Sequence, residues 1–308
     1  MGEPKTDPRL KQVFPDILSI TSPIVEASTF TLTAASLLRA HHVASLQVVE
    51  KGKQAQGEMT RTSSIAAIQV TERLEPAHSG EDYLFVSGYS ILSNLVKKEP
   101  GEYYSYLFEP CKSDAIGVGS ISVNQDLRDL LELFRNTRFG FACFQDGGLF
   151  TQVNLLDVMQ LYVDGRIETD LRVKDVASTP YSLPGDTKVK DALDEMFSRR
   201  TRTVFIRGTK TLVSDREVIS FIFSPRWLGK TRDSPRELLD CTIAEVGLIE
   251  PEPIEGDTPI RNAARLVAPK HGNSFLCEQG IVTPWDLVMK PWNMGRLVLS
   301  GRPRAGSS

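Results

Sequence analysis

Apolar residues along this chain follow two alternating periods, and the alternation itself recurs. The clearest stretch begins at Gly256-Asp257-Thr258-Pro259 and continues through Ile260, Ala263, Ala264 and Val267 at helical spacing. A β-prone run, Ser274-Phe275-Leu276-Cys277, follows, then a turn at Glu278–Gln279 and a second apolar run, Gly280-Ile281-Val282. The chain then reads Thr283-Pro284-Trp285-Asp286-Leu287-Val288. Asp257 or Thr258 is placed to cap the first helix, with Pro259 inside it. Thr283 is placed to cap the second, Pro284 takes the first helical position, and Asp286 at the third completes a capping-box pattern. With an extended start around Ile249–Ile254, the pattern predicts strand–helix–strand–strand–helix.

Three earlier segments repeat this order. In the third unit, Tyr181–Leu183 is extended, Pro184-Gly185-Asp186-Thr187 supplies the cap, Val189, Ala192, Leu193, Met196 and Phe197 form the stripe, and Thr203–Ile206 is the strand. Thr211-Leu212-Val213-Ser214-Asp215-Arg216-Glu217-Val218 then matches the closing motif. The second unit runs from Ile121–Val123 through Leu127, Leu130, Leu131 and Phe134 to Phe141–Phe144, a hairpin signal at Asp146-Gly147-Gly148, and the motif Gly148-Leu149-Phe150-Thr151-Gln152-Val153-Asn154-Leu155. The first has Thr31-Leu32-Thr33 extended, a helix over Ala34–His42, a strand near Leu46–Val49, and Gly88-Tyr89-Ser90-Ile91-Leu92-Ser93-Asn94-Leu95 as its motif. The last polar motif positions are thus Asn94, Asn154, Glu217 and Asp286, a step of roughly 60–70 residues, which makes repetition the first fact about the fold.

On the Gly-Ile-Val-Thr-x-x-Asp pattern of residues 280–286 and the upstream Asp257-Thr258-Pro259 helix start, the sequence resembles the cystathionine-β-synthase (CBS) domain family. The resemblance implies an α/β (α+β) fold of four βαββα CBS repeats, paired into two Bateman modules in a disc-like arrangement. The division is an N-terminal extension 1–16, repeat one at 17–100 with an insertion at 51–82, repeat two at 101–165, repeat three at 166–230, repeat four at 231–292, and a tail 293–308. It also implies a regulatory adenine-nucleotide module, without catalysis of its own and without a catalytic cofactor. The expected ligand is AMP, ADP or ATP, with S-adenosylmethionine ranked behind them.

Carried onto this chain, the ligand positions are Thr283 with Asp286, Thr151 with Asn154, and Ser214 with Glu217. Asn94 with Ile91 departs furthest, because Ile91 has no hydroxyl. A carboxylate can accept from both hydroxyls of a ribose, in charge-assisted bonds. A helix N-terminus offers N–H groups to phosphate. The family draws phosphate-binding cations from the segment before the middle strand, which points to Arg202, Lys270 and His271. Thr-x-x-Asp and Ser-x-x-Glu are equally good as plain helix caps. A ligand-free CBS scaffold for protein–protein interaction therefore stands as the alternative.

Composition narrows the rest. Net charge −3 argues against a nucleic-acid partner. Cys111, Cys143, Cys241 and Cys277 are too scattered for a zinc ribbon or a disulfide framework, and the four His residues do not cluster, so no metal site is expected. Neither a Walker-type Gly-Lys-Ser/Thr run nor Gly-x-Ser-x-Gly occurs, so no catalytic residue is named. No apolar run is long enough to cross a bilayer, and the start Met1–Leu10 is charged. A cytoplasmic protein is expected, with an unidentified protein partner or self-association as a homodimer.

Overall fold

The computed structural model describes residues 9–14, 24–41, 43, 45–51, 74–76, 78–79, 82–146, 149–267 and 274–300. Four copies of one βαββα unit account for most of these. In repeat two the leading strand Ser120–Ser122 runs parallel to the middle strand Phe141–Asp146, which pairs antiparallel with the motif strand Leu149–Asn154. Repeat three has the same order in Ser182–Leu183, Thr203–Ile206 and Leu212–Ser214, and repeat four in Glu252–Pro253, Phe275–Cys277 and Gly280–Val282. Repeat one uses Ile24–Glu26, Ser45–Lys51 and Asp82–Ser87. Most of its 51–82 insertion lies outside the described residues.

The helix between the first two strands shows how sequence sets each unit. In repeat two, Asp126 caps Leu127–Thr137: its Oδ1 accepts from the Asp129 N–H (3.0 Å), and Asp129 Oδ2 accepts from the Asp126 N–H (3.2 Å). Leu127, Leu130, Leu131 and Phe134 fall on one face and are buried, as the stripe predicts. Arg138 ends the helix in the left-handed conformation, φ 60°.

Three helix starts differ from expectation. Repeat one's helix spans Thr31–Ala40, not 34–42, so Thr31–Thr33 is helical rather than extended. Repeat three's starts at Val189, with Lys188 rather than Asp186 or Thr187 at the cap position. Repeat four's starts at Ile260, beyond Pro259. One physical cause covers the first two: the free N–H groups are met by backbone from another segment instead of by a local side chain. Thr31 N–H donates to Glu109 O (2.9 Å), and Val189 N–H to Cys241 O (2.8 Å).

Those partner segments reveal an exchange. The short turn Cys111–Asp114 precedes repeat two yet packs on repeat one, with Phe30 bridging Pro110. Leu10–Val13 precedes repeat one yet packs in the core of repeat two. Val173–Val176 leads into repeat three and packs with repeat four, while Ile243 and Val246, ahead of repeat four, pack with repeat three. Each leading segment therefore completes its neighbour. Residues 9–14 of the N-terminal extension are part of this pattern. The tail also packs: Val298–Leu299 pairs antiparallel with Ile167–Glu168.

Two kinds of contact join the repeats. Sheets face each other within a pair: Tyr83, Phe85, Val118, Phe141 and Cys143 unite repeats one and two, and Phe205, Leu212 and Ile281 unite three and four. Helices face each other between pairs. Gly88–Leu95 packs on Asp215–Ile222, and Leu155–Val163 packs on Ile260–Val267 and Pro284–Asn293. Two large cores result, one shared by repeats one and three, the other by two and four. The four contacts close a ring in the order one, two, four, three. Across it, Tyr104 Oη donates to Leu228 O (2.6 Å), tying the connection inside the first pair to that inside the second.

Candidate functional site

The motif strand of every repeat ends at a helix N-cap. In repeat four, Thr283 caps Pro284–Asn293: Asp286 Oδ2 accepts from the Thr283 N–H (2.9 Å) and hydroxyl (2.7 Å). In repeat three, Ser214 caps Asp215–Ile222, and Glu217 Oε2 accepts from the Ser214 N–H (3.1 Å) and its hydroxyl. Both pairs sit at the positions the motif assigns.

The first two motifs need correction. In repeat two the strand continues through Asn154, which is the N-cap; its Oδ1 accepts from the Leu156 N–H (2.8 Å). The acid at the third helical position is Asp157, whose Oδ2 accepts from the Asn154 N–H (2.7 Å). Thr151 lies upstream in the strand opposite Phe144, 2% exposed, and is not a cap. In repeat one the strand ends at Ser87, and the helix is Gly88–Leu95. Ser87 and Ser90 make the capping box, each side-chain oxygen accepting from the other's backbone N–H (3.1 and 3.0 Å). Ile91 is a buried core residue, and the Asn94 amide donates to Asp114 Oδ1 and Ser113 O. Aligning on glycine rather than on the strand-to-helix junction put these two copies three or four residues out. The equivalent pairs are Ser87/Ser90, Asn154/Asp157, Ser214/Glu217 and Thr283/Asp286.

The acids differ in surroundings. Burial pushes the Asp157 carboxyl up to about 6, opposed only by the Asn154 backbone N–H. Burial also raises Glu217, with hydrogen bonds from Ser214 opposing. Among the described residues, Asp157 and Glu217 bond through one carboxylate oxygen each. Asp286 uses both. Its Oδ1 accepts from the Ser178 hydroxyl (2.7 Å) and pairs with Lys290 Nζ (3.2 Å), and only 5% of the residue is exposed.

The cations also have partners or lie out of view. Arg202 holds the buried Asp215 through Nε (2.8 Å) and Nη2 (2.6 Å). This pair lines a crevice of about 20 Å³ between repeats one and three, with Arg39, Gly88, Arg216 and Ile219. That space suits a water molecule, not a nucleotide. Lys270 and His271 lie outside the described residues. A wider, open cleft of about 280 Å³ lies beside the middle strand of repeat three, lined by Pro180, Ser182, Phe205, Arg207, Lys210 and Leu276 among others. It touches none of the motif pairs. Among the described residues no group of His, Cys, Asp and Glu could hold a metal, and no helix is long and apolar enough to cross a membrane.

No family model and no curated protein matches this chain. Solved structures do. Protein MJ1225 from Methanocaldococcus jannaschii, for which homology to g-AMPK has been suggested, aligns over 92% of this chain and 100% of its own, with TM-score 0.69 and 14% identity. The chain folds as a four-CBS-domain protein. An uncharacterised conserved protein from Pyrococcus horikoshii aligns over 91% of this chain and 98% of its own (TM-score 0.46, 11% identity). CBSX2 from Arabidopsis thaliana, solved in complex with AMP, aligns over 41% of this chain and 99% of its own (TM-score 0.31, 16% identity). The sheet-to-sheet contacts make repeats one and two the first CBS pair, and three and four the second. The residues that sequence reasoning missed are Ser87, Ser90, Asp157, Ser178, Asp215 and Lys290. Asn154-Leu155-Leu156-Asp157 carried a readable signal, a capping box directly after an apolar strand. Ser178 carried none, since its partner is 108 residues away.

Proposed function

We propose that this CBS protein is a regulatory binder of adenine nucleotide, AMP, ADP or ATP, with no catalysis of its own. The observation that carries the reading is the recurrence of one hydroxyl-or-amide cap with a polar third residue at all four strand-to-helix junctions, three of them acids. Capping alone asks for no carboxylate at a place where burial disfavours its charged form, as it does at Asp157 and Glu217. A ribose diol donating to the second oxygen would satisfy each. Thr283 with Asp286 remains a candidate of the same kind, with its carboxylate held by Ser178 and Lys290 until displaced. Arg202 would serve phosphate only by leaving Asp215.

Thermal unfolding with millimolar AMP, ADP, ATP or S-adenosylmethionine tests the reading. Binding at a hundredfold excess over Kd adds about 2.7 kcal/mol, a rise of several degrees for a chain of this size. Absence of any shift, with none altered by Asp157→Asn or Glu217→Gln, would remove the nucleotide. The second reading, a ligand-free CBS scaffold, is favoured by the full engagement of Asp286 and the small Arg202 crevice. Nucleotide released from the denatured protein and seen by mass spectrometry would exclude it.

A further inference from the structure

Lys290 lies one helical turn beyond Asp286, on the same face. Its ammonium donates to Val176 O (2.8 Å), Ala177 O (3.0 Å) and Ser178 Oγ (2.8 Å), and pairs with Asp286 Oδ1. Residues 176–178 belong to the connection between the two CBS pairs. The Ser178 hydroxyl, accepting from Lys290, donates its own hydrogen bond to Asp286 Oδ1. Two backbone bonds between Ser178 and Ile281 (2.8 and 2.9 Å) lay the connection along the motif strand. Gly280 permits that approach: at φ +141° an added Cβ would stand 2.2 Å from Ser178 O. Lys290 thus fastens the connection over the one carboxylate a ligand at repeat four would need.

Repeat one contains a related contact between its motif helix and a connecting segment. Asn94 stands one turn after Ser90, as Lys290 does after Asp286. Its amide reaches the segment that leads into repeat two, donating to Asp114 Oδ1 (3.0 Å) and Ser113 O (3.4 Å). The equivalent residues in repeats two and three are Leu161 and Phe221, which have nothing to donate. The fastening therefore occurs in repeats one and four, on one diagonal of the ring.

We propose that Lys290 is a latch, holding the connection between the CBS pairs onto Asp286 so that nucleotide gains this carboxylate only by releasing residues 176–178. This rests on the nucleotide reading for the ligand, but not for the latch itself. Occupancy at repeat four would then be coupled to the freedom of the connection, because a ligand shifts a conformation only through differential affinity.

Two measurements on the full chain separate the parts: hydrogen exchange at the Ser178 and Ile281 amides without ligand, and calorimetric titration with AMP. Lys290→Met is expected to speed exchange at both amides by about tenfold, and to tighten AMP at the repeat-four site by a similar factor. Ser178→Ala, which keeps the lysine, is expected to move both in the same direction by less, and guards against a folding defect in the first variant. Unchanged exchange in Lys290→Met overturns the latch. Weaker AMP binding in Lys290→Met overturns it too, since Lys290 would then be a ligand contact. Faster exchange with no AMP binding by any variant upholds the latch and overturns the nucleotide reading instead.

Discussion

Asp157 and Asp286 occupy the same third helical position in repeats two and four, and each takes the backbone N–H of its cap residue. There the likeness stops. Asp286 has a serine hydroxyl and a lysine on its other oxygen. Asp157 has no second described partner, and burial lifts its carboxyl to about 6. One acid is locked by distant chain, while the other, half-buried, keeps one carboxylate oxygen without a described partner. The comparison teaches that a motif fixes local geometry but not availability. Availability is decided by a segment that the neighbouring repeat supplies.

The largest expected effect attacks the contact that locks Asp286. Gly280→Ala places a methyl against Ser178 O at a backbone angle that L-residues avoid, and is expected to cost about 3 kcal/mol or more in denaturant unfolding. A cost below about 1 kcal/mol would mean the connection yields easily. Next, Asp286→Ala strips Lys290 and Ser178 of a shared acceptor, and should cost about 2–3 kcal/mol. Asp157→Asn, which keeps an acceptor for the cap N–H, should stay within about 1 kcal/mol at pH 5. If the two proved equal, the contrast between the acids would be illusory.

A pH series sharpens the same contrast. The folded carboxyl of Asp157 is raised from 3.8 to about 6, so the native state holds its proton more tightly than the unfolded chain. Its contribution is complete below about pH 4 and is lost as pH rises through about 6, a decline on the order of 2–3 kcal/mol. Unfolding free energy measured from pH 4 to 7 should therefore fall less in Asp157→Asn than in the parent. Glu217, shifted in the same direction, leaves a residual slope in that variant. The smallest effect concerns the acid-free motif. Ser87→Ala removes the cap of Gly88–Leu95 and should cost about 1 kcal/mol. A null effect would return the first motif to its glycine-anchored register.

The repeat order and the later two caps were legible because they depend on short-range pattern: apolar spacing, a hydroxyl, and an acid three residues on. Repeat four shows this fully, with Thr283 and Asp286 where their spacing puts them. The register of the first two motifs was not legible from glycines. Gly88 opens a helix, whereas Gly280 opens a strand at positive φ, so the same residue type marks different places. Helix starts at Thr31 and Val189 were hidden because distant backbone does the work of a cap. The pairing of Arg202 with Asp215 was hidden for a different reason. Both charges were visible in the sequence, but only the fold turns the acid at the first helical position back toward the strand start.

The exchange of leading segments has an outcome for any attempt to divide the molecule. A cut between the pairs, near residue 168, would keep Val173–Val176 with repeat four but part Ile167–Glu168 from Val298–Leu299. The helices are less forgiving. Leu155–Val163 and Gly88–Leu95 would each lose the surface that covers them, and so would their opposite numbers. Either half-length fragment would keep its internal sheets yet bare a broad greasy flank. Each would have to leave that flank in water, a cost the intact polypeptide escapes by closing the circle on itself.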